Sequence, residues 1–471
     1  MVKADIGLCG LAVMGQNLAL NMADKGFVVA VYNRTRQKTK DFIRNQTENK
    51  NIIPAYEVAD FIAALARPRK VMLMVKAGKP VDTVIEQIAP FLEKGDLIID
   101  GGNSRYNDTI RRCKDLAEKG ILFIGTGISG GEAGALNGPS IMPGGSKQAY
   151  TLIEPIFTAI SAKADGIPCC DYVGNDGAGH FVKMVHNGIE YADMQLIAEV
   201  YYTMKNVLGT SADKMHKVFA EWNKGPLSSY LVEITADILA TKDPETGNPL
   251  VEMILDKAAQ KGTGAWTVQS AVELGVAVPT ISQAVFARCI SAIKSERSIA
   301  AKQLTAPQAE FKGQKNEFIS ALHDALYASK ICAYAQGFAL MAAAAKQHGW
   351  TLDFGRIAKI WRAGCIIRAE LLDAIKDAFE REQNLANLML DAHFKKILAD
   401  TLNNWRKVVA ACARLGVPTP ALSSALNYFD SYRNERVWAN MIQAQRDYFG
   451  AHTYERIDKE GSFHTDWHSL L

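Results

Sequence analysis

The chain has 471 residues, too many for one ordinary hydrophobic core, so two or three domains are expected. Its composition, 48% apolar and 22% charged, is that of a soluble globular protein. A formal net charge of +3 is too small for a dedicated binder of nucleic acid or a membrane surface, yet leaves room for a local basic pocket suited to a small anion. Met1 to Gly10 run directly into a strand pattern without a signal-peptide core, and no apolar run approaches the ~20 residues of a membrane helix. The eight cysteines are irregularly spaced, and adjacent Cys169 and Cys170 cannot easily form a relaxed disulfide. With no metal-like Cys pair, no metal site is expected; reduced thiols and a cytoplasmic location are.

From Ala4 to about Gly174, short Val/Ile-rich runs alternate with stretches of helical period: Ile6–Cys9, Val28–Tyr32, Val71–Val75, Leu97–Asp100, Leu122–Gly125 and Tyr172–Val173. Continuously apolar strands separated by helices predict a mostly parallel sheet covered on both faces, in an α/β, Rossmann-like domain over 1–176. Beyond it, Ala-, Leu- and Met-rich segments of period near 3.6, among them 178–208, 280–300, 316–348 and 394–415, predict an all-helical domain over 177–434. His186 precedes Ala198-Glu199 by the interval that separates His323 from Ala335-Gln336, and a Trp-x-x-Gly follows at Trp222–Gly225 and Trp361–Gly364. An internal duplication and a chance match of helical composition both fit that spacing. The tail, 435–471, is polar and aromatic, with a short helix expected over Gln443 to His452 and too little apolar periodicity to fold alone.

Gly10-Leu11-Ala12-Val13-Met14-Gly15 follows the first strand and opens a helix, the context that a dinucleotide fingerprint requires. Gly10 permits the turn, small Ala12 admits the pyrophosphate, and Gly15 lets helix and strand pack, while the helix N-terminus attracts phosphate. At the end of the second strand, Asn33-Arg34-Thr35 stands where an NAD enzyme usually places a carboxylate, with Lys38 one turn later. A guanidinium there binds a 2′-phosphate, which points to NADP. Val75-Lys76-Ala77 and Gly101-Gly102-Asn103 close later strands at the edge where ligands bind, and Gly127-Ile128-Ser129-Gly130-Gly131 offers small residues and free amides to a carboxylate.

Between Phe181 and Ala192, Lys183, His186, Asn187, Glu190 and Tyr191 recur at the spacing of one helix face, a face normally apolar. Because Val182, Met184, Val185, Ile189 and Met194 would bury the rest of the helix, this polar face calls for a ligand.

These runs, with Lys261-Gly262-Thr263-Gly264 and Gln443 to His452, resemble the 6-phosphogluconate dehydrogenase family of the β-hydroxyacid dehydrogenases over essentially the whole chain. The resemblance implies a general base at Lys183 and a general acid at Glu190. It also implies a substrate carboxylate at Ser129, Gly130 and Gly131, and hydroxyls at Asn103, His186 and Asn187. The substrate phosphate falls to Tyr191, Lys261, Arg288 and, from the second subunit of a homodimer with shared sites, Arg446 and His452. The implied cofactor is NADP, held by Gly10 to Gly15, Asn33 to Thr35, Val75 to Ala77 and Asn103. Departures from the family's pattern are small: Ile128 for Val, Ala192 for Gly, Ala265 for Lys and Trp438 for Pro. Of these, Ala265 bears on the charge near the phosphate.

The implied reaction oxidises carbon 3 and then loses carbon dioxide without a metal, because a ketone β to the carboxylate accepts the electrons. Lys183 must be neutral to begin it, so burial or cations must lower a pKa ordinarily near 10.4. A rival reading is an NAD(P)-dependent dehydrogenase of another, unphosphorylated 3-hydroxyacid. The cations Lys261, Arg288 and Arg446 speak against it. A non-catalytic NADP sensor is disfavoured because both Lys183 and Glu190 are present.

Overall fold

The computed structural model describes residues 2–48, 50–260, 262–306 and 309–470. Seven strands form one sheet in the order β3-β2-β1-β4-β5-β6-β7, where β1 is Ile6–Cys9, β2 Val29–Tyr32, β3 Ile52–Ala55, β4 Lys70–Leu73, β5 Leu97–Asp100, β6 Leu122–Ser129 and β7 Ser140–Gly145. All pairings are parallel except β6 with β7. Side chains alternate between two cores. Ile6, Leu8, Val29, Val31, Leu97 and Ile99 fill one face, and Ala30, Val71, Leu73, Ile98 and Phe123 the other. This two-sided burial is why the strands read as unbroken apolar runs.

Three details depart from expectation. Strand β3 was hidden by Pro54, which removes a ladder donor and is tolerated because β3 is an edge strand. Strand β7, Ser-Ile-Met-Pro-Gly-Gly, lacks the usual strand signature. Its glycines serve close packing, since a Cβ on Gly144 would lie 2.1 Å from the Gly179 nitrogen. Tyr172–Val173, expected as a strand, runs beside β7 with only the Val173 N–H bonded to the Pro143 carbonyl and an isolated bridge from Gly174 to Gly144. An isolated bridge is too short a ladder for the segment to become a strand.

Beyond Gly177 the described chain is helical apart from a short antiparallel pair, Tyr454–Glu455 with Ser462–Phe463, and is centred on Ala178–Asn206 and Lys315–His348, which pack together with Ala392–Leu415 over one large core. Both long helices bury side chains on every face, as central helices must. The segment expected over 280–300 divides into Pro279–Ala292 and Lys294–Gln303, because Ile293 leaves helical geometry at φ −86° and ψ 47°.

The two spaced motifs perform matching work. Buried Glu199 accepts the backbone N–H groups of Ala421 and Leu422 at 2.8 and 2.9 Å, at the start of Pro420–Tyr432. Gln336 accepts that of Thr280 at 3.0 Å, at the start of Pro279–Ala292. Each therefore satisfies orphan donors of a helix that opens with proline.

The tail is built around one carboxylate rather than a core. Asp447, in Ala439–Gly450, is fully buried and accepts from the Thr453 N–H, His464 Nδ1, the Thr465 N–H and Trp467 Nε1, all within 3.0 Å. Burial alone would raise its pKa, but these donors outweigh it and hold the group at about 2. No helix among the described residues is long and apolar enough to cross a membrane.

Candidate active site

The sheet order reverses between β1 and β4, and open sheets of this kind bind ligands in the crevice at that point. The turn after β1 is shaped for close approach. Gly10 has φ +107°, and a Cβ on it would lie 2.5 Å from the Met74 carbonyl at the end of β4. A Cβ on Gly15 would lie 2.0 Å from the Gly10 carbonyl, so only glycine lets the helix Val13–Asp24 start there. Ala12 caps that helix without a side-chain bond, leaving its first N–H groups to a ligand. The turn is tied to the next strand by the Leu11 N–H, which donates to Asn33 Oδ1 at 3.0 Å. Arg34, Thr35 and Lys38 follow as exposed residues, whereas Arg36 is engaged by Glu57. A cradle that a Cβ would fill, uncapped amides and a cation after β2 together fit NADP.

Across the crevice lie exposed Lys76 and Asn103, on the loops that follow β4 and β5. At the end of β6, Ser129 is buried and Gly130 and Gly131 take φ +111° and +62°, opening the helix Gly131–Asn137. A Cβ on Gly130 would lie 2.6 Å from the Gly364 carbonyl, so the helical region presses directly on this turn.

The polar face of Ala178–Asn206 meets the crevice here. Lys183 packs on β6 so tightly that a Cβ on Gly127 would lie 2.3 Å from the lysine's own Cβ. Lys183 Nζ is 3.2 Å from His186 Nδ1, which is 3.1 Å from Asn187 Oδ1 and 3.9 Å from Glu190 Oε2. His186 Nε2 lies 3.4 Å from the Ser129 hydroxyl. Asn187 Nδ2 donates to Thr263 Oγ1 at 3.0 Å. In one neutral tautomer Nδ1 donates to Asn187 and Nε2 accepts from Ser129; in the other Nδ1 accepts from Lys183 and Nε2 donates to Ser129. Burial, then the nearby Lys183, pushes the His186 pKa well below its ordinary value. Burial likewise lowers that of Lys183, while Glu190 and Cys365 pull it back up. A lysine so placed gives up its proton more readily than one in water. Glu190 keeps 21% of its side chain exposed, at the mouth of the group.

Tyr191 is buried with Arg288 above its ring, the guanidinium carbon 3.5 Å from the centroid. Arg288 is also held by the Ala259 carbonyl at 3.1 Å and by Met194 Sδ. Met194, expected to be buried, is 42% exposed. Lys261 lies outside the described residues. Arg446 and His452 do not join the Lys183 group; their recorded partners, Gln443 and Phe449, belong to the tail. Thr263, Gly364 and Cys365 are additions that the sequence reading did not single out as site residues. Thr263 lies in the run Lys261 to Gly264 and Gly364 ends the Trp361–Gly364 motif, but only the fold brings them and Cys365 to this site from other elements.

Residues 5–174 match the family profile for the NAD binding domain of 6-phosphogluconate dehydrogenase, and residues 179–467 that for the 6-phosphogluconate dehydrogenase C-terminal domain. The chain belongs to the 6-phosphogluconate dehydrogenase family. It is 58% identical over 468 residues to the NADP(+)-dependent, decarboxylating 6-phosphogluconate dehydrogenase of Bacillus subtilis, covering 99% of this chain and 100% of that one. The decarboxylating 6-phosphogluconate dehydrogenase of Homo sapiens is 54% identical over 470 residues, covering 99% of this chain and 97% of the human one. Among solved structures, the 6-phosphogluconate dehydrogenase of Plasmodium falciparum, described in apo form and in complexes with NADP+ and 6-phosphogluconate, superimposes with a TM-score of 0.96. It is 46% identical and covers 98% of this chain and 100% of its own. Membership in the 6-phosphogluconate dehydrogenase family thus rests on both halves of the chain.

Proposed function

We infer that the chain catalyses oxidative decarboxylation of 6-phosphogluconate to ribulose 5-phosphate and carbon dioxide, with reduction of NADP to NADPH. The observation that carries this reading is a buried Lys183, its pKa lowered by that burial, on one helix face with Glu190 at the junction of a dinucleotide crevice and a helical domain, in a chain similar throughout to enzymes of that name. The test is NADPH formation, followed by absorbance, with 6-phosphogluconate as substrate and carbon dioxide measured in parallel. A chain that reduces NADP only with an unphosphorylated 3-hydroxyacid would instead support the rival dehydrogenase.

When bound, NADP accepts the hydride of carbon 3. Lys183 takes the proton of the carbon 3 hydroxyl, leaving a ketone β to the carboxylate. Breaking the bond to the carboxyl carbon then sends its electron pair into that ketone, whose oxygen takes the proton back from Lys183 to give an enediol. Glu190, closer to solvent, delivers a proton to the carbon that lost carbon dioxide, while Lys183 removes the hydroxyl proton of carbon 3 so that the ketone reforms. The amides around Ser129, Gly130 and Gly131 receive the carboxylate, and Asn103, His186 and Asn187 receive hydroxyls. Tyr191, Lys261 and Arg288 receive the phosphate, together with Arg446 and His452 of the partner subunit.

Two predictions belong to these assignments. Arg34→Ala should lower kcat/KM with NADP roughly 10- to 100-fold through loss of a charge-assisted contact, with little change for NAD. Equal losses with both cofactors would remove Arg34 from the 2′-phosphate site. Glu190→Gln should chiefly slow the late protonation. In deuterated water the wild-type enzyme should place deuterium stereospecifically at the decarboxylated carbon, and Glu190→Gln should lose that selectivity. Retained selectivity would assign the proton to another acid.

A homodimer with shared sites is supported by the apolar side chains that a single chain leaves open. Phe286, Ile290 and Ile299 on neighbouring helices and Ile293 between them are 42–58% exposed, and Met441 and Ile442 on the tail are 61% and 49% exposed. Surface of this kind marks a contact. Residues 1–176, 177–434 and 435–471 serve as the cofactor domain, a helical domain whose paired caps suggest duplication, and the tail. The enzyme works in the cytoplasm, in the oxidative pentose phosphate pathway and gluconate utilisation, without nucleic acid or membrane partners.

A further inference from the structure

Hydride transfer needs the reacting atoms held about 3–3.5 Å apart, yet the cofactor loops and Lys183 belong to separate elements. The helix Tyr106–Ala117 carries none of the binding or catalytic residues assigned above, and it touches both the cofactor-side loops and the helix that bears Lys183. Its Arg112 is only 2% exposed and has four partners. Nε donates to Asp82 Oδ1 at 2.8 Å and NH2 to the Gly78 carbonyl at 3.1 Å, both beside the Val75-Lys76-Ala77 loop. NH1 reaches Asp100 Oδ2 at 3.3 Å and Ser104 Oγ at 3.4 Å, on either side of Asn103. Asp100, fully buried, accepts in addition from Ser104 Oγ at 2.6 Å and the Gly102 N–H at 3.1 Å. One guanidinium thereby fixes the loops after β4 and β5 to each other.

One turn earlier on the same face, Thr109 Oγ1 lies 2.7 Å from Nδ1 of His180. His180 is buried on the catalytic helix, three residues before Lys183. The sheet leaves this joint no slack, since a Cβ on Gly125 would lie 2.5 Å from Thr109 Cγ2 and 2.8 Å from His180 Nδ1.

We propose that Arg112 and Thr109 are positioning residues, which set the register of the two cofactor-side loops against Lys183 through one helix face. The proposal rests on Lys183 as the base. A planar fork aims its donors in fixed directions that an ammonium group cannot reproduce, so Arg112→Lys removes the register while keeping the charge.

The test compares wild type, Arg112→Lys and Thr109→Val. It measures Tm, kcat, KM for NADP, KM for 6-phosphogluconate, and the primary isotope effect on kcat with substrate deuterated at carbon 3. Arg112→Lys should raise KM for NADP and lower kcat, each about 10-fold or more, with an increased isotope effect. Thr109→Val, close in shape, should lower kcat and increase the isotope effect while KM for NADP stays near that of wild type. Lower Tm with unchanged kinetic constants and isotope effects in both variants would make them ordinary core residues and overturn the proposal. If Arg112→Lys does not fold, Thr109→Val decides alone by the same criteria. Failure of the Lys183 assignment would be visible separately, as turnover retained in Lys183→Met.

Discussion

Lys183→Met is expected to lose about 10²- to 10⁴-fold in kcat, the range that a positioned general base supplies. The substitution keeps length and apolar bulk, so the tight contact with Gly127 and the β6 packing should survive. Binding of NADP, followed by quenching of protein fluorescence, should persist. A second signature comes from pH. A base at Lys183 works only when neutral, so under this assignment kcat/KM of the wild-type enzyme should fall as pH drops through its folded-state pKa and protonates it. Burial lowers that pKa from the ordinary 10.5, so the acid limb lies below the range of a lysine in water. In Lys183→Met the limb should vanish from whatever activity remains. Near-normal turnover, or an unchanged acid limb, would mean that another group takes the proton.

Mixing two inactive variants should restore activity if each site draws its phosphate ligands from the partner subunit. Arg446 and His452 are exposed and held within the tail, by Gln443 and through the folding around Asp447. They can therefore be presented to another chain without losing their own scaffold. Lys183→Ala alone lacks the base, and Arg446→Ala alone lacks a cation for the phosphate. In a hybrid with crossed tails, one site combines both defects and the other combines wild-type Lys183 with wild-type Arg446. Up to about half of the wild-type turnover per hybrid dimer should then return. If each tail serves its own chain, every site carries one defect and nothing returns. Subunit exchange is verified independently by native mass spectrometry of differently tagged variants, so silence in an exchanged sample rules out the crossing tail.

The sequence by itself determined the elements whose signals are local. Continuous apolar runs specified the parallel strands because both sheet faces are covered, and Gly10 and Gly15 specified the turn because no Cβ fits at either. The spacing of Lys183, His186, Asn187, Glu190 and Tyr191 specified one polar helix face, since a helix repeats every 3.6 residues whatever surrounds it. Tertiary structure alone decided what that face meets. Thr263 bonds to Asn187, Gly364 presses on Gly130, and β6 seals Lys183 away from water, each from a different element. Burial is what lowers the lysine's pKa, and burial is a property of the closed fold rather than of any window of residues. The same limit hid β3 and β7, whose prolines and glycines are acceptable only because of edge position and close helix packing. It also hid Arg112, a charged residue in a helix pattern until four partners from two segments converge on it.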